Sequence, residues 1–194
     1  MSEGERSIGK RTVGKSSIDK GFRGKKPEGK AIDQGFAPLL GKCPKVLILG
    51  TLPSVKSLQE QQYYGHPQNA FWWLMSQMCG FEPGLSYSER VSHLLANHIA
   101  VWDVIQSCHR PGSLDSKIDQ STLETNDFLS LLGETSTIKA IAFNGQSASK
   151  LFSKFVDAEK WKGDFIVLPS TSPANASMRK ETKLEKWLSL KDYL

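Results

Sequence analysis

Long apolar runs are missing from this 194-residue chain. None approaches the roughly 18 residues that a membrane-spanning helix needs, and the charged N-terminal stretch lacks the apolar core of a secretory signal. The expectation is a soluble, intracellular protein with no membrane partner, placed in the nucleus of a eukaryote or the cytoplasm of a prokaryote. Cysteine is scarce and scattered: Cys43, Cys79 and Cys108 form no C-x-x-C pair. That pattern supports neither a disulfide framework nor a cysteine-only zinc or iron-sulfur site, so no metal and no cofactor is expected. The Gly-x-Gly-x-x-Gly fingerprint is absent and no strand end carries a phosphate-cradling loop, which removes support for dinucleotide and triphosphate sites. What remains is 39% hydrophobic and 23% charged, a composition suited to one compact domain with an intact core.

Charge of one sign is concentrated at the front. Residues 1–45 hold 11 Lys or Arg against 5 Asp or Glu, a balance of +6, while the rest hold 14 against 15, a balance of −1. The arm mixes Lys, Arg, Gly and Ser with few large apolar residues, so it cannot bury enough surface to offset its ordering entropy. Residues 1–34 are therefore expected to be a disordered basic arm, and residues 35–194 a folded domain. A cationic tether suits a polyanion such as nucleic acid, because each cation meeting a phosphate releases counterions. A solubilising tail or a targeting segment would have the same composition.

From Val46 onward, short apolar runs alternate with longer amphipathic ones, the pattern of an α/β layer architecture. Strands are expected at Val46–Leu49, Ile99–Trp102, Ile138–Phe143 and Phe165–Leu168, each covered on both faces. Helices are expected at Ala70–Cys79, Ser88–His98, Leu123–Leu132, Ser147–Val156 and Thr182–Leu190. Crossover helices imply mainly parallel strands, whose ligand crevice lies outside their carboxyl ends. The segments at those ends are rich in small, polar and turn-forming residues: GTLPS at Gly50–Ser54, YYGHPQNAFW at Tyr63–Trp72, SCHRPGSLDS at Ser107–Ser116, FNG at Phe143–Gly145 and LPSTSPANA at Leu168–Ala176.

Taken in this order, the five motifs resemble the uracil-DNA glycosylase superfamily, most closely its hypoxanthine-DNA (deoxyinosine) glycosylase branch, from about Gly35 to the C-terminus. The resemblance implies a three-layer α/β/α fold around a four-stranded parallel sheet. It also implies an enzyme that flips a damaged, deaminated base out of DNA and hydrolyses its N-glycosidic bond in base excision repair. The motifs lack a lysine suited to Schiff-base chemistry, so monofunctional hydrolysis leaving an abasic site is expected, and the protein is expected to be a monomer. At the third position of the first motif, where uracil-removing relatives usually carry Asp or Asn, this chain has Leu52. The resemblance instead places the catalytic asparagine on Asn69, with His66 three residues away as a candidate proton donor. It places the base-stacking aromatic on Tyr64 and the minor-groove wedge on Pro169–Asn175.

Leu52, Pro53, Ser54 and Asn144 are candidates for reading the base edge, and Ser170, Thr171, Ser172, Pro173 and Asn175 for contacting DNA. Hypoxanthine presents an O6 acceptor beside an N1–H donor and adenine the reverse, so a fixed donor–acceptor pair could separate them; uracil presents the same local order as hypoxanthine. Plainer readings of these residues exist. Asn69 would cap the helix that follows it, Tyr63 stacks as well as Tyr64 by composition, and His66 suits a turn. Phe71, Trp72 and Trp73 open an amphipathic helix as core residues. Two other functions fit the same motifs: a uracil or mismatch glycosylase, and a DNA-damage binder without catalysis.

Overall fold

The computed structural model describes residues 32–194; the expected disordered arm falls almost wholly outside the described residues. The paired structure begins at β1 (Asp33–Gln34), inside the stretch assigned to that arm. β2 (Val46–Gly50) follows and is buried along its whole length. Next come α1 (Val55–Glu60), α2 (Phe71–Cys79), α3 (Tyr87–Ala96), β3 (Ile99–Asp103) and β4 (Ile105–Cys108). The chain continues through β5 (Glu124–Thr125), α4 (Phe128–Glu134), β6 (Ala140–Asn144), α5 (Gln146–Phe155), β7 (Asp164–Leu168) and α6 (Lys180–Trp187).

The central sheet is four-stranded and parallel in the order β3-β2-β6-β7. Its inner strands are the valine-, isoleucine- and leucine-rich runs that a sheet buried on both faces selects. α3 packs on β3, α5 on β6 and β7, and α6 on β7. Because β2 has β3 on one side and β6 on the other, the connections leave it in opposite directions. A crevice is therefore expected outside the carboxyl ends of the strands there. Among the described residues no helix is long and apolar enough to cross a membrane.

All four expected strands are present. β7 departs from the expected coverage, with Phe165 49% and Val167 43% exposed, because it forms the sheet edge. The helix expected over Leu123–Leu132 starts only at Phe128: Asp127 caps it by accepting the Ser130 N–H at 2.9 Å, while Glu124–Thr125 is held as β5 against β4. A second sheet, antiparallel in the order β1-β4-β5, had no sequence counterpart because its end strands are two residues long. α1 was also unforeseen, although Ser54 is a recognisable cap that accepts the Ser57 N–H.

Candidate active site

The cavity that the topology calls for is there, about 350 Å³ in volume and lined from Gly50–Ser54, Tyr64, Asn69, Asp103, Asp115, Asn144 and Ser170–Ser172, among others. Each wall has a local cause. The β2–β3 register sets Gly50 beside Asp103, and a Cβ on Gly50 would lie 2.4 Å from Asp103 Oδ1 and 3.2 Å from the Tyr64 hydroxyl. Only glycine leaves that floor open. Arg110, 4% exposed, donates from its guanidinium to the Leu52 carbonyl at 3.3 Å and to the Pro53 carbonyl, and pairs with Asp33 at 3.4 Å. The two loop carbonyls are thus held against a buried cation, and among the described residues the Leu52 and Ser54 N–H groups make no backbone hydrogen bond. The Ser54 hydroxyl is engaged as the cap of α1.

Thr171 joins three motifs. It is 1% exposed, its N–H donates to Asn144 Oδ1 at 2.8 Å, its Oγ1 accepts from Asn144 Nδ2 at 2.9 Å, and its carbonyl accepts the Ala70 N–H at 3.0 Å. The sequence reading placed Thr171 against DNA; the structure turns it inward, since its polar groups bind the two neighbouring loops. The same contacts fix Asn144. A backbone N–H can only donate, so the amide cannot flip, and one Nδ2 hydrogen remains for a base or for the Tyr64 hydroxyl. Ser170, Ser172, Pro173 and Asn175 form a stiff turn: Ser170 Oγ accepts the Ser172 N–H at 3.2 Å, Ser172 Oγ accepts the Ala174 N–H at 3.2 Å, and Asn175 Nδ2 donates to the Ser170 carbonyl at 3.2 Å.

Gly145 holds this turn close to β6. Its φ is +106° and a Cβ there would sit 2.8 Å from Ser170 Cβ. Gly145→Ala is expected to lose about 1–3 kcal/mol of stability from the left-handed backbone and the clash, and to weaken DNA binding by shifting Ser170. Urea unfolding and a binding titration test both effects.

Tyr63 and Tyr64 both line the cavity but differ in their hydrogen bonding and ring packing. Tyr63 is core: its hydroxyl donates to the Ala37 carbonyl at 3.2 Å and its carbonyl accepts from Trp72 Nε1 at 2.9 Å. Tyr64, at φ +55°, stacks one ring face on Phe71 with centroids 3.8 Å apart and lines the cavity. Burial pushes its hydroxyl well above the ordinary tyrosine range, so it stays protonated.

Asn69 stands at the cavity rim, also lining a neighbouring groove of about 450 Å³. Its Oδ1 accepts the Phe71 N–H at 3.0 Å, so the plain capping contact exists and leaves the two Nδ2 hydrogens as the uncommitted end. His66 is not brought to the cavity: its Nδ1 accepts the Gln68 N–H at 3.2 Å, the turn role, and it lines neither the cavity nor the groove. Phe71 and Trp72 are core as expected, but Trp73 is half-buried, lies under Lys180 at 4.5 Å from its ring centre, and lines the groove.

Two residues that sequence reading left without a role, Asp103 and Asp115, face the cavity. Asp115 Oδ2 accepts from Thr51 Oγ1 at 3.0 Å, and burial pushes its carboxyl up. Burial likewise pushes Asp103 up to about 7, with Arg110 opposing. The available signals were the position of Asp103 directly after an expected strand and that of Asp115 inside the Ser107–Ser116 motif. Among the described residues no group of three or more His, Cys, Asp or Glu is placed to hold a metal ion.

A parallel α/β sheet whose carboxyl-end loops enclose a polar, aromatic-walled cavity sized for one small ring system defines a ligand-binding enzyme fold. The chain belongs to the uracil DNA glycosylase superfamily: the family model of that description matches residues 38–192. A Methanosarcina acetivorans protein named hypoxanthine DNA glycosylase is 36% identical over 155 residues, covering 79% of this chain and 95% of its own. A Methanosarcina barkeri protein of the same name is 36% identical over 118 residues, covering 60% and 73%. The solution NMR structure of a Methanosarcina acetivorans protein described as a uracil DNA glycosylase superposes with a TM-score of 0.69 at 34% identity, covering 83% of this chain and 99% of that one.

Proposed function

We propose that the protein is a monofunctional DNA glycosylase that flips deoxyinosine from DNA and hydrolyses its glycosidic bond, releasing hypoxanthine and leaving an abasic site. The observation that carries this reading is the uncommitted amide end of Asn69 at the rim of a cavity whose other wall is Tyr64. The first motif offers Leu52 where a carboxylate or amide would activate water. Expelling the base costs a few kcal/mol, least for a mispaired base. Stacking of the base on the cavity-lining ring of Tyr64 returns about 1–3 kcal/mol.

Cleavage breaks the bond between C1′ and N9. The electron pair leaves with the base, and water adds to C1′ and releases its proton to solvent. Positive charge grows on the sugar and negative charge on the base, so prepositioned donors lower the barrier. Asn69 supplies donors for the base and has no useful pKa for proton transfer. The turn at Ser170–Asn175 wedges the duplex, and the groove with Trp73 and Lys180 takes the adjoining strand. The basic arm of residues 1–34 adds salt-sensitive affinity for DNA.

Excision from matched oligonucleotides carrying inosine, uracil or xanthine tests the reading. Inosine is expected to be processed fastest. Uracil outpacing inosine would favour a uracil or mismatch glycosylase, and release of no base would favour a damage binder.

A further inference from the structure

Asp103 has no part in the mechanism above, yet it ends β3 at the cavity floor. It is 3% exposed and lines the cavity, and its Oδ2 is buried with no hydrogen-bond partner. A buried polar atom without a partner carries a desolvation penalty that a ligand in the same cavity can relieve. Space for that ligand exists because Gly50, beside it in the sheet, has no side chain to fill it. Asn69 lies at the rim and Asp103 at the floor. A base entering with its sugar toward Asn69 therefore points its far edge at Asp103.

The charged and titratable neighbours of this carboxyl are few. Arg110 and Asp115 face it from the segment after β4, and Tyr63 and Tyr64 from the segment after α1. β2 and β6 bring no titratable side chain. Burial is the largest influence and Asp115 adds to it, together outweighing Arg110 and holding the group to about 7. The acid form is therefore well populated at neutral pH.

We propose that Asp103 reads the edge of the flipped base as a neutral carboxylic acid, its carbonyl accepting hypoxanthine N1–H and its O–H donating to O6. This rests on the glycosylase reading above. As the bond to C1′ breaks, the electron pair retained by the base spreads to O6, so the O–H contact strengthens in the transition state while the proton stays on Asp103. An ionised carboxylate would instead face O6 with like charge. A carboxylic acid kept neutral by burial so that it can donate is a known device.

The test is single-turnover excision by the full chain on a deoxyinosine duplex between pH 5.5 and 9. For the wild type the rate is expected to fall about tenfold per pH unit above the Asp103 transition. Asp103→Ala is expected to lose about 10²-fold. Asp103→Asn puts an N–H where the acid has its O–H; it is expected to stay within about tenfold of wild type at low pH and to lose the alkaline fall. An N1-methylhypoxanthine substrate adds a readout that folding does not move: the wild type should discriminate against it and Asp103→Ala should not. A flat wild-type profile, or Asp103→Ala within about threefold of wild type, overturns the assignment alone. Absence of excision by the wild type at every pH overturns the glycosylase reading and the assignment with it.

Discussion

Asn69→Ala is expected to slow single-turnover release of hypoxanthine by about 10²–10³-fold, the usual consequence of removing one prepositioned donor from a site where charge develops. Binding to the same duplex should change little. The reason lies in how the side chain divides its work. Its oxygen accepts the Phe71 N–H at 3.0 Å at the start of α2, and its nitrogen is left for the reactants. Asn69→Asp separates the two halves: it keeps the oxygen at Phe71 and replaces the donor end with an acceptor that repels the departing base. If capping were the whole role of Asn69, Asn69→Asp would restore excision, since aspartate caps a helix as well as asparagine does. The glycosylase reading predicts that both variants stay slow, with thermal unfolding showing a loss only in Asn69→Ala. A damage binder without catalysis would show no excision to lose.

The strand-end motifs were legible because a parallel sheet concentrates ligand contacts in a few predictable segments, and short apolar runs announce the strands that carry them. What the sequence hid was which atoms in those motifs are already spent. Asn144 and Thr171 are 27 positions apart, and nothing in either motif says that they satisfy each other. His66 and Asn69 look equivalent as a pair, yet one ring nitrogen is used within its own turn while the asparagine keeps an end free. Asp103 could be read only as the residue after a strand. Its chemistry comes from burial beside Gly50, a property of the register between two strands and therefore invisible in either alone. The small antiparallel sheet escaped for a related reason. Its two-residue strands carry no periodicity and are fixed by contacts across the chain.

Arg110→Ala is expected to destabilise the fold by about 3–5 kcal/mol, the usual loss when one partner is removed from a buried ionic network. The guanidinium serves three acceptors on two segments: the adjacent carbonyls of Leu52 and Pro53 and the carboxylate of Asp33. Removing it leaves those carbonyls and that carboxylate without their charged partner. Arg110→Lys should recover only part of the loss, because an ammonium is a compact charge and cannot span three acceptors with a planar fork. Equilibrium denaturation gives the stability difference directly, and a variant within about 1 kcal/mol of wild type would refute the clamp. The substitution has a second reading through Asp103. Arg110 draws the Asp103 ionisation down against burial, so its loss should raise that transition further. With Asp103 active as the neutral acid, the alkaline fall in excision must then move to higher pH in the residual activity of Arg110→Ala, and less in Arg110→Lys, which keeps a cation. A rate that rises with pH through that transition would mean that the ionised carboxylate does the work, and a fall that stays in place would mean that another group sets it.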